Sequence, residues 1–458
     1  MEKETKKSLK WLWITIALVA VAGVAVWCIL SAVYNPKAGK DGAANIFNTQ
    51  TTTFVMFTIA FVVIGLGYLL GAIDIKGVSL GTAGVFLVAI LVGFLCTLIP
   101  EDAGIFSGFH LTESSAVVKN LKSTVQNIGL ILFVGSVGFI AGPNFFKNLA
   151  KNFKTYILMG IVIILLGTLV AVLCVLLTDY GPAYWSGVLS GALTSTPGFS
   201  AAIDAVGNNE AVKSLITLGH AIAYPFGVVG VVLFVQLMPK FVKADMAKER
   251  DYLRIGAAEE ARDYSKYFKC EEFGFLPFAL AVIAGLVLGS ITIPLTGKGY
   301  DGATFSLGTT GGVLIMCLVF GHFGHLGKLS LEVNEKTLKV MRELGLALFL
   351  LGAGVDGGVS LVAQVKANGG AIVAWGFIGG AVMTVVPMIG GYYLGKYLLK
   401  LPLLNNLGSI TGGMTSTPAL GTLIATAETD DVASAYASTY PIALILIVLA
   451  SQLLITLM

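Results

Sequence analysis

The sequence predicts an all-α integral membrane protein. It is built from two inverted repeats of five spanning helices plus a re-entrant or broken helix each, preceded by one extra N-terminal helix, in an elevator-like arrangement. Composition, an ordered internal duplication and the placement of Lys and Arg carry that prediction. Of 458 residues, 56% are hydrophobic and 12% charged, against about 25% charged in soluble domains. Apolar stretches of about 20 residues recur along the chain, each long enough to cross a ~30 Å hydrocarbon core as a helix. They are continuously apolar rather than alternating, which argues against membrane strands. Such a composition makes a lipid bilayer the natural solvent, and a formal charge of +3, spread over short loops, points away from a nucleic-acid partner. Four of the five cysteines, Cys28, Cys96, Cys174 and Cys317, lie in apolar runs and Cys270 in a polar one. That spacing is neither a disulfide framework nor a metal site, and it implies no cofactor.

Residues 1–52 read as a basic cytoplasmic N-terminus, a first helix from 11 to about 33 and an outer loop. The apolar run exceeds a signal-peptide core and has no clean small-x-small cleavage site. Segments then repeat in order. Ser79-Leu80-Gly81-Thr82-Ala83-Gly84 returns as Ser306-Leu307-Gly308-Thr309-Thr310-Gly311. Gly129-Leu130, Leu132-Phe133, Gly138 and Gly142 return as Gly345-Leu346, Leu348-Phe349, Gly354 and Gly358. Thr194-Ser195-Thr196-Pro197 returns as Thr415-Ser416-Thr417-Pro418, followed by the pairs Tyr224-Pro225 and Tyr440-Pro441. Repetition in order is the mark of duplication. Membrane repeat 1 is placed at 53–238, a charged cytoplasmic linker at 239–272 and membrane repeat 2 at 273–458.

Each repeat holds six apolar segments: 53–73, 78–99, 124–142, 155–177, 184–205 and 211–238, then 273–293, 306–325, 340–358, 370–395, 405–427 and 432–457. Lys3, Lys6, Lys7 and Lys10 place the N-terminus inside, and Lys147, Lys151 and Lys154 mark another inner loop. The linker carries eight Lys and Arg, and Lys328, Lys336, Lys339 and Arg342 form a further cluster. All of these fall on one side only if one segment per repeat fails to cross. The fifth is the candidate, because its proline and hydroxyls interrupt a helix. Five crossings per repeat invert the second against the first.

The two Thr-Ser-Thr-Pro segments are the candidate substrate site: Thr194, Ser195, Thr196 and Pro197 with Thr415, Ser416, Thr417 and Pro418. Unwound backbone at membrane depth frees amide N–H groups, and a half-helix starting there turns its positive end toward the gap. Hydroxyls add donors for a carboxylate without a buried permanent charge. Ser and Thr bonding to their own helix around a proline kink is the competing reading. Duplication at matching positions favours a site. Asp356 reads either as a group coupling H+ or Na+ or as an interfacial carboxylate. His220 reads as a packed neutral ring or as a second coupling group. Asp204 and Glu428 read as solvated helix ends, His322 and His325 as interfacial, and the 56 glycines as close-packing residues.

The paired Thr-Ser-Thr-Pro segments, Ala223-Tyr224-Pro225-Phe226-Gly227 and the duplicated Gly/Leu-Phe segments resemble the aspartate:alanine exchanger family of bacterial transporters. The resemblance covers nearly all of the chain after the first helix. It implies an antiporter for acidic amino acids or related carboxylates in the bacterial inner membrane. Many members carry a long hydrophilic insert between the halves, where this chain has a short linker. The leading expectation is an alternating-access transporter of small carboxylates, with or without H+ or Na+ coupling, working as a homodimer. The alternative is a monovalent cation/proton antiporter centred on Asp356. No nucleophile–base constellation suggests an enzyme.

Overall fold

The computed structural model describes residues 52–75, 78–79, 81–101, 104–207, 209–256, 267–294 and 304–458. The expected N-terminal helix lies outside the described residues. The first half opens with α1 (Thr52–Gly71), a hairpin of β1 (Asp74–Ile75) and β2 (Val78–Ser79), and α2 (Ala83–Cys96). A short α3 (Ala116–Asn120) runs through a π-turn at Leu121–Val125 into α4 (Gln126–Leu177). At 1.5 Å per residue, α4 would extend about 78 Å if straight, over twice the hydrocarbon thickness. Two apolar windows, Ala116–Pro143, which begins in α3, and Lys154–Leu177, therefore count as separate spans. Next come α5 (Gly181–Ala192), α6 (Thr196–Ala205) and α7 (Glu210–Phe241).

The second half repeats this plan. It comprises α9 (Phe275–Ser290), a hairpin of β3 (Thr292–Pro294) and β4 (Thr304–Ser306), α10 (Gly308–Phe323), and a small hairpin of β5 (His325–Leu326) and β6 (Leu329–Ser330). Then follow α11 (Glu335–Asn368), α12 (Gly370–Tyr393), α13 (Leu403–Gly413), α14 (Thr417–Ala427) and α15 (Val432–Leu457). Seven spans among the described residues are long and apolar enough to cross a membrane, two of them along α4.

Three segments expected to cross are shorter helices: α2, α9 and α10 have 14, 16 and 16 residues. The hairpins explain the difference. They take up residues the hydropathy reading assigned to helix, and Gly81 (φ +52°) and Gly308 (φ +64°) adopt a left-handed turn that stops α2 and α10 from extending backwards.

Reciprocal packing joins the halves. A Cβ on Gly129 would lie 2.6 Å from the Gly345 carbonyl oxygen, and one on Gly345 would lie 2.7 Å from that of Gly129. Gly138 and Gly142 seat α4 on α10 at Cys317 and Gly321, while Gly354 and Gly358 seat α11 on α2 at Ala89 and Ile90. Each half thus packs its long helix on the other half's short one, as a two-fold relation requires. The register differs from the sequence match at one place: Gly312, not Gly311, takes the role of Gly84, since Gly84 meets Gly67 and Gly71 while Gly312 meets Gly285 and Gly289. The second half has one extra residue there, absorbed at the start of α10.

The polar linker forms α8 (Met246–Gly256). It grips both ends of the α13–α14 pair. Glu249 Oε2 accepts from Leu403 N (2.8 Å) at the start of α13, and Arg250 donates to Ala427 O (3.2 Å) and Glu428 (2.8 Å) at the end of α14. A carboxylate at a helix start and a guanidinium at a helix end both complement the helix dipole.

Candidate substrate site at the paired helix breaks

Helix α5 ends where its chain turns left-handed at Thr194 (φ +52°), and α13 ends the same way at Thr415 (φ +49°). The hydrogen bonding is that of a helix C-terminal turn normally closed by glycine. Ser195 N–H donates to Ser190 O (2.8 Å) and Thr194 N–H to Gly191 O (2.9 Å). In the second half, Ser416 N–H donates to Thr411 O (3.0 Å) and Thr415 N–H to Gly412 O (3.1 Å). A β-branched residue in this conformation is strained by roughly 1–3 kcal/mol. What the threonine supplies instead of glycine is its hydroxyl. Thr415 Oγ1 donates to Leu193 O (2.6 Å), and Thr194 Oγ1 donates to Met414 O (3.2 Å). Each break is tied to the last carbonyl group of the opposite helix end.

The chain restarts as α6 and α14, with Pro197 and Pro418 inside their first turns. Proline suits that position because its missing N–H has no helical acceptor there. Ser195 Oγ caps α6 by accepting from Gly198 N (3.1 Å). Its counterpart, Ser416 Oγ, is buried with no protein partner, and a buried polar atom of that kind calls for an explanation.

A cavity of about 30 Å³ is lined by residues of both motifs, including Thr194, Thr196, Pro197, Thr415, Thr417 and Pro418. Tyr224, Tyr440, Leu130, Phe349 and Thr310 complete its wall. The halves are not equivalent here. Thr196 is exposed, whereas Thr417 is 6% exposed, with its Oγ1 3.4 Å from the Tyr436 hydroxyl.

His220 and Asp356 stand beside this cavity rather than on its wall. Ser190 Oγ donates to Gly187 O (2.8 Å) and also meets His220 Nδ1 at 2.9 Å. The hydroxyl has one proton, so with that proton on Gly187 O the ring donates to Ser190 Oγ from Nδ1. The ring also packs on Phe199 and Tyr224, with centroids 4.5 and 5.4 Å away. Asp356 pairs with Lys122 of the π-turn at 2.8 Å. Sequence reasoning missed that pairing because Lys122 lies at the edge of an apolar run and nothing in its spacing points to Asp356. It also passed over the wall residues Tyr224 and Tyr440, although the repeated Tyr-Pro pair was their signal.

Of the residues set aside, Glu428 is an exposed helix end paired with Arg250. His325 stacks on Tyr267 at 4.4 Å. The side chain of Asp204 lies outside the described residues.

Paired broken helices, buried at the contact between two packed repeats, define a two-repeat membrane permease. The chain belongs to the aspartate:alanine exchanger family, whose model, described as "Predicted Permease Membrane Region", matches residues 59–240 and again 277–456. An uncharacterized transporter of Bacteroides fragilis is 26% identical over 551 aligned positions, covering 86% of this chain and 97% of the relative. An uncharacterized transporter of Bacteroides thetaiotaomicron is also 26% identical, with the same coverage. One of Desulfotalea psychrophila is 24% identical, covering 91% of this chain and 98% of the relative. The alignments are longer than the 458 residues of this chain, so these relatives hold segments that it lacks.

Proposed function

We propose that this protein is a secondary active exchanger of small carboxylates, acidic amino acids or dicarboxylates, in the bacterial inner membrane. Its site is the gap between the two breaks, and its repeats are inverted so that the site is served alternately from either face. The observation that carries the reading is the reciprocal bonding of Thr194 and Thr415. It holds the starts of α6 and α14 against one cavity, with Thr196, Thr417 and the unpartnered Ser416 hydroxyl nearby. Hydroxyls and helix N-termini together suit a carboxylate. A cavity of about 30 Å³ is too small for aspartate, so the described state is closed around the breaks. Exchange then requires one half to move against the other.

The family name and the transporter relatives favour transport but leave the substrate to experiment. A cation/proton antiporter centred on Asp356 is disfavoured, because Lys122 already neutralises that carboxylate. The test is equilibrium binding of labelled aspartate and succinate to purified protein. Binding weakened by both Thr196→Ala and Thr417→Ala supports a shared site. Binding that survives both changes removes it.

A further inference from the structure

The glycine contacts sort the helices into two bundles, each drawn from both halves. In the first, α1 seats on α2 and α9 on α10 backbone to backbone: a Cβ on Gly67 would lie 2.4 Å from Val85 Cα, and one on Gly285 2.5 Å from Val313 Cα. In the second, α5 seats on α7 and α13 on α15 the same way, since a Cβ on Gly187 would lie 2.1 Å from Ile216 O and one on Gly412 2.5 Å from Tyr436 O. Helix α4 serves both, with Gly142 facing Gly321 of α10 and Gly160 facing Ile442 of α15. Helix α11 joins the first bundle at α2, and α12 joins the second, where a Cβ on Gly380 would lie 2.8 Å from that of Ala223.

Where a glycine of one bundle faces the other, the nearest atoms across the boundary are side-chain atoms: Leu444 at Gly311, Pro225 at Gly357 and Leu346 at Gly421. Interlocked backbones resist sliding, whereas a boundary of side chains can rearrange. The small cavity lies on this boundary, with Leu130, Thr310 and Phe349 from the first bundle and the breaks from the second. So does a cavity of about 400 Å³ on the linker face, which takes Thr82 and Glu343 from the first and Thr422 and Thr426 from the second.

An ion pair crosses the boundary on that face. Buried Arg342, near the start of α11, donates from Nη1 to Asp430 between α14 and α15, and from Nη2 to Glu343 (3.3 Å). Asp430 is anchored in its own bundle, because Arg250 holds Glu428 two residues earlier (2.8 Å). The matching positions in the first half are Gln126 and Asn209, both uncharged, and Asn209 caps α7 by accepting from Val212 N (3.3 Å). The pair therefore has no twin on the opposite face. Thr417, on the helix that leads to Asp430, is buried, while its counterpart Thr196 is exposed.

We infer that Arg342–Asp430 is a one-sided lock between the two bundles, holding the linker-face side of the site closed. The inference rests on the alternating-access reading of the site and not on the carboxylate. It assigns the motion that exchange requires to the bundles, and opening toward the linker face then begins with separation of Asp430 from Arg342.

The test is double electron–electron resonance on full-length protein lacking Cys28, Cys174 and Cys270. Spin labels at Lys336→Cys on α11 and Lys248→Cys on α8 report the distance across the boundary. Labels at Lys248→Cys and Lys396→Cys report a distance within the second bundle. Asp430→Asn is expected to raise the share of a second cross-boundary distance about tenfold, since it strands one charge of a largely buried pair. Asp430→Glu should keep the parent distribution, and the within-bundle distance should stay fixed throughout. Arg342→Gln is expected to act as Asp430→Asn does, so loss of folding in one variant leaves the other to decide. A cross-boundary distribution unchanged in the folded variants, or a within-bundle distance that shifts with it, overturns the lock. Carboxylate binding at the breaks with unchanged distances sinks the lock alone. Shifted cross-boundary distances in protein that binds no carboxylate uphold the lock and sink the carboxylate reading.

Discussion

Thr415 is the position at which strain and interaction can be separated. Its left-handed backbone costs a branched residue roughly 1–3 kcal/mol, and its hydroxyl makes a buried 2.6 Å bond to Leu193 O. Such a bond contributes about 0.5–1.5 kcal/mol net, and loss of the donor leaves the carbonyl group short of a partner at a further cost. Thr415→Ser keeps the hydroxyl and removes the branch, so it should be as stable as the parent or slightly more so. Thr415→Ala loses the bond and retains part of the strain, and should be destabilised by about 1–3 kcal/mol. Thr415→Gly also loses the bond but fits the left-handed turn. After its extra unfolded-state entropy of about 0.5–1 kcal/mol, it should equal or exceed alanine. The expected order of thermal midpoints in detergent is serine at or above parent, then glycine, then alanine. Carboxylate affinity should be kept only by serine. An alanine variant as stable as serine, with affinity intact, would refute the claim that the cross-bond holds the two breaks in register.

Other perturbations probe other links. Thr196→Ala and Thr417→Ala should each weaken carboxylate affinity ten- to a hundredfold, corresponding to about 1.5–3 kcal/mol for a bond to a charged acceptor; titration with labelled succinate measures it. Gly129→Ala or Gly345→Ala would force a Cβ against backbone of the facing helix and should lower the thermal midpoint through overpacking of about 1–3 kcal/mol or more. Gly65→Ala meets nothing within 4 Å, so it should be neutral or gain about 1 kcal/mol from helix propensity. Glu271 caps α9 by accepting from Phe273 N (2.7 Å) and Leu276 N (3.2 Å). Its slight desolvation raises its pKa, but the backbone amides of Leu276, Phe273, Gly274 and Phe275 outweigh this and hold it below the usual carboxylate value. The cap's contribution is therefore complete above the unfolded-state pKa and lost as pH falls through the lower folded one; Glu271→Gln should flatten that acid limb of the stability profile. With the linker inside, Cys270 should escape an impermeant thiol reagent in intact cells, and efficient labelling would reverse the topology.

Much of this architecture could be read from residue order, because duplication places each signal twice. Gly129 and Gly345 were matched as letters, and the structure makes them each other's contact. Thr-Ser-Thr-Pro announced a break because proline suits the first turn of a helix, and both copies break just before it, at Thr194 and Thr415. What could not be read was the reciprocal bond to Leu193 and Met414, since a carbonyl acceptor leaves no mark in the side-chain sequence. The helix starts after Gly81 and at Gly308 were also hidden: hydropathy sees a continuous apolar run, whereas the left-handed glycine and the hairpin before it shorten the helix. The Lys122–Asp356 pair escaped because it joins two halves with no counterpart across the repeat. The matching positions in the Gly129/Gly345 register are Leu338 and Ile140.

Counterflow in proteoliposomes tests the central claim most directly. Vesicles loaded with unlabelled aspartate or succinate are diluted into trace labelled carboxylate, with the parent protein compared to Thr196→Ala and Thr417→Ala. The account predicts label accumulation by the parent that depends on the internal carboxylate, with both variants needing about ten- to a hundredfold more substrate for the same rate. Folded parent protein that moves none of these carboxylates, yet dissipates a pH gradient when Na+ or K+ is added, would contradict it and restore the cation antiporter.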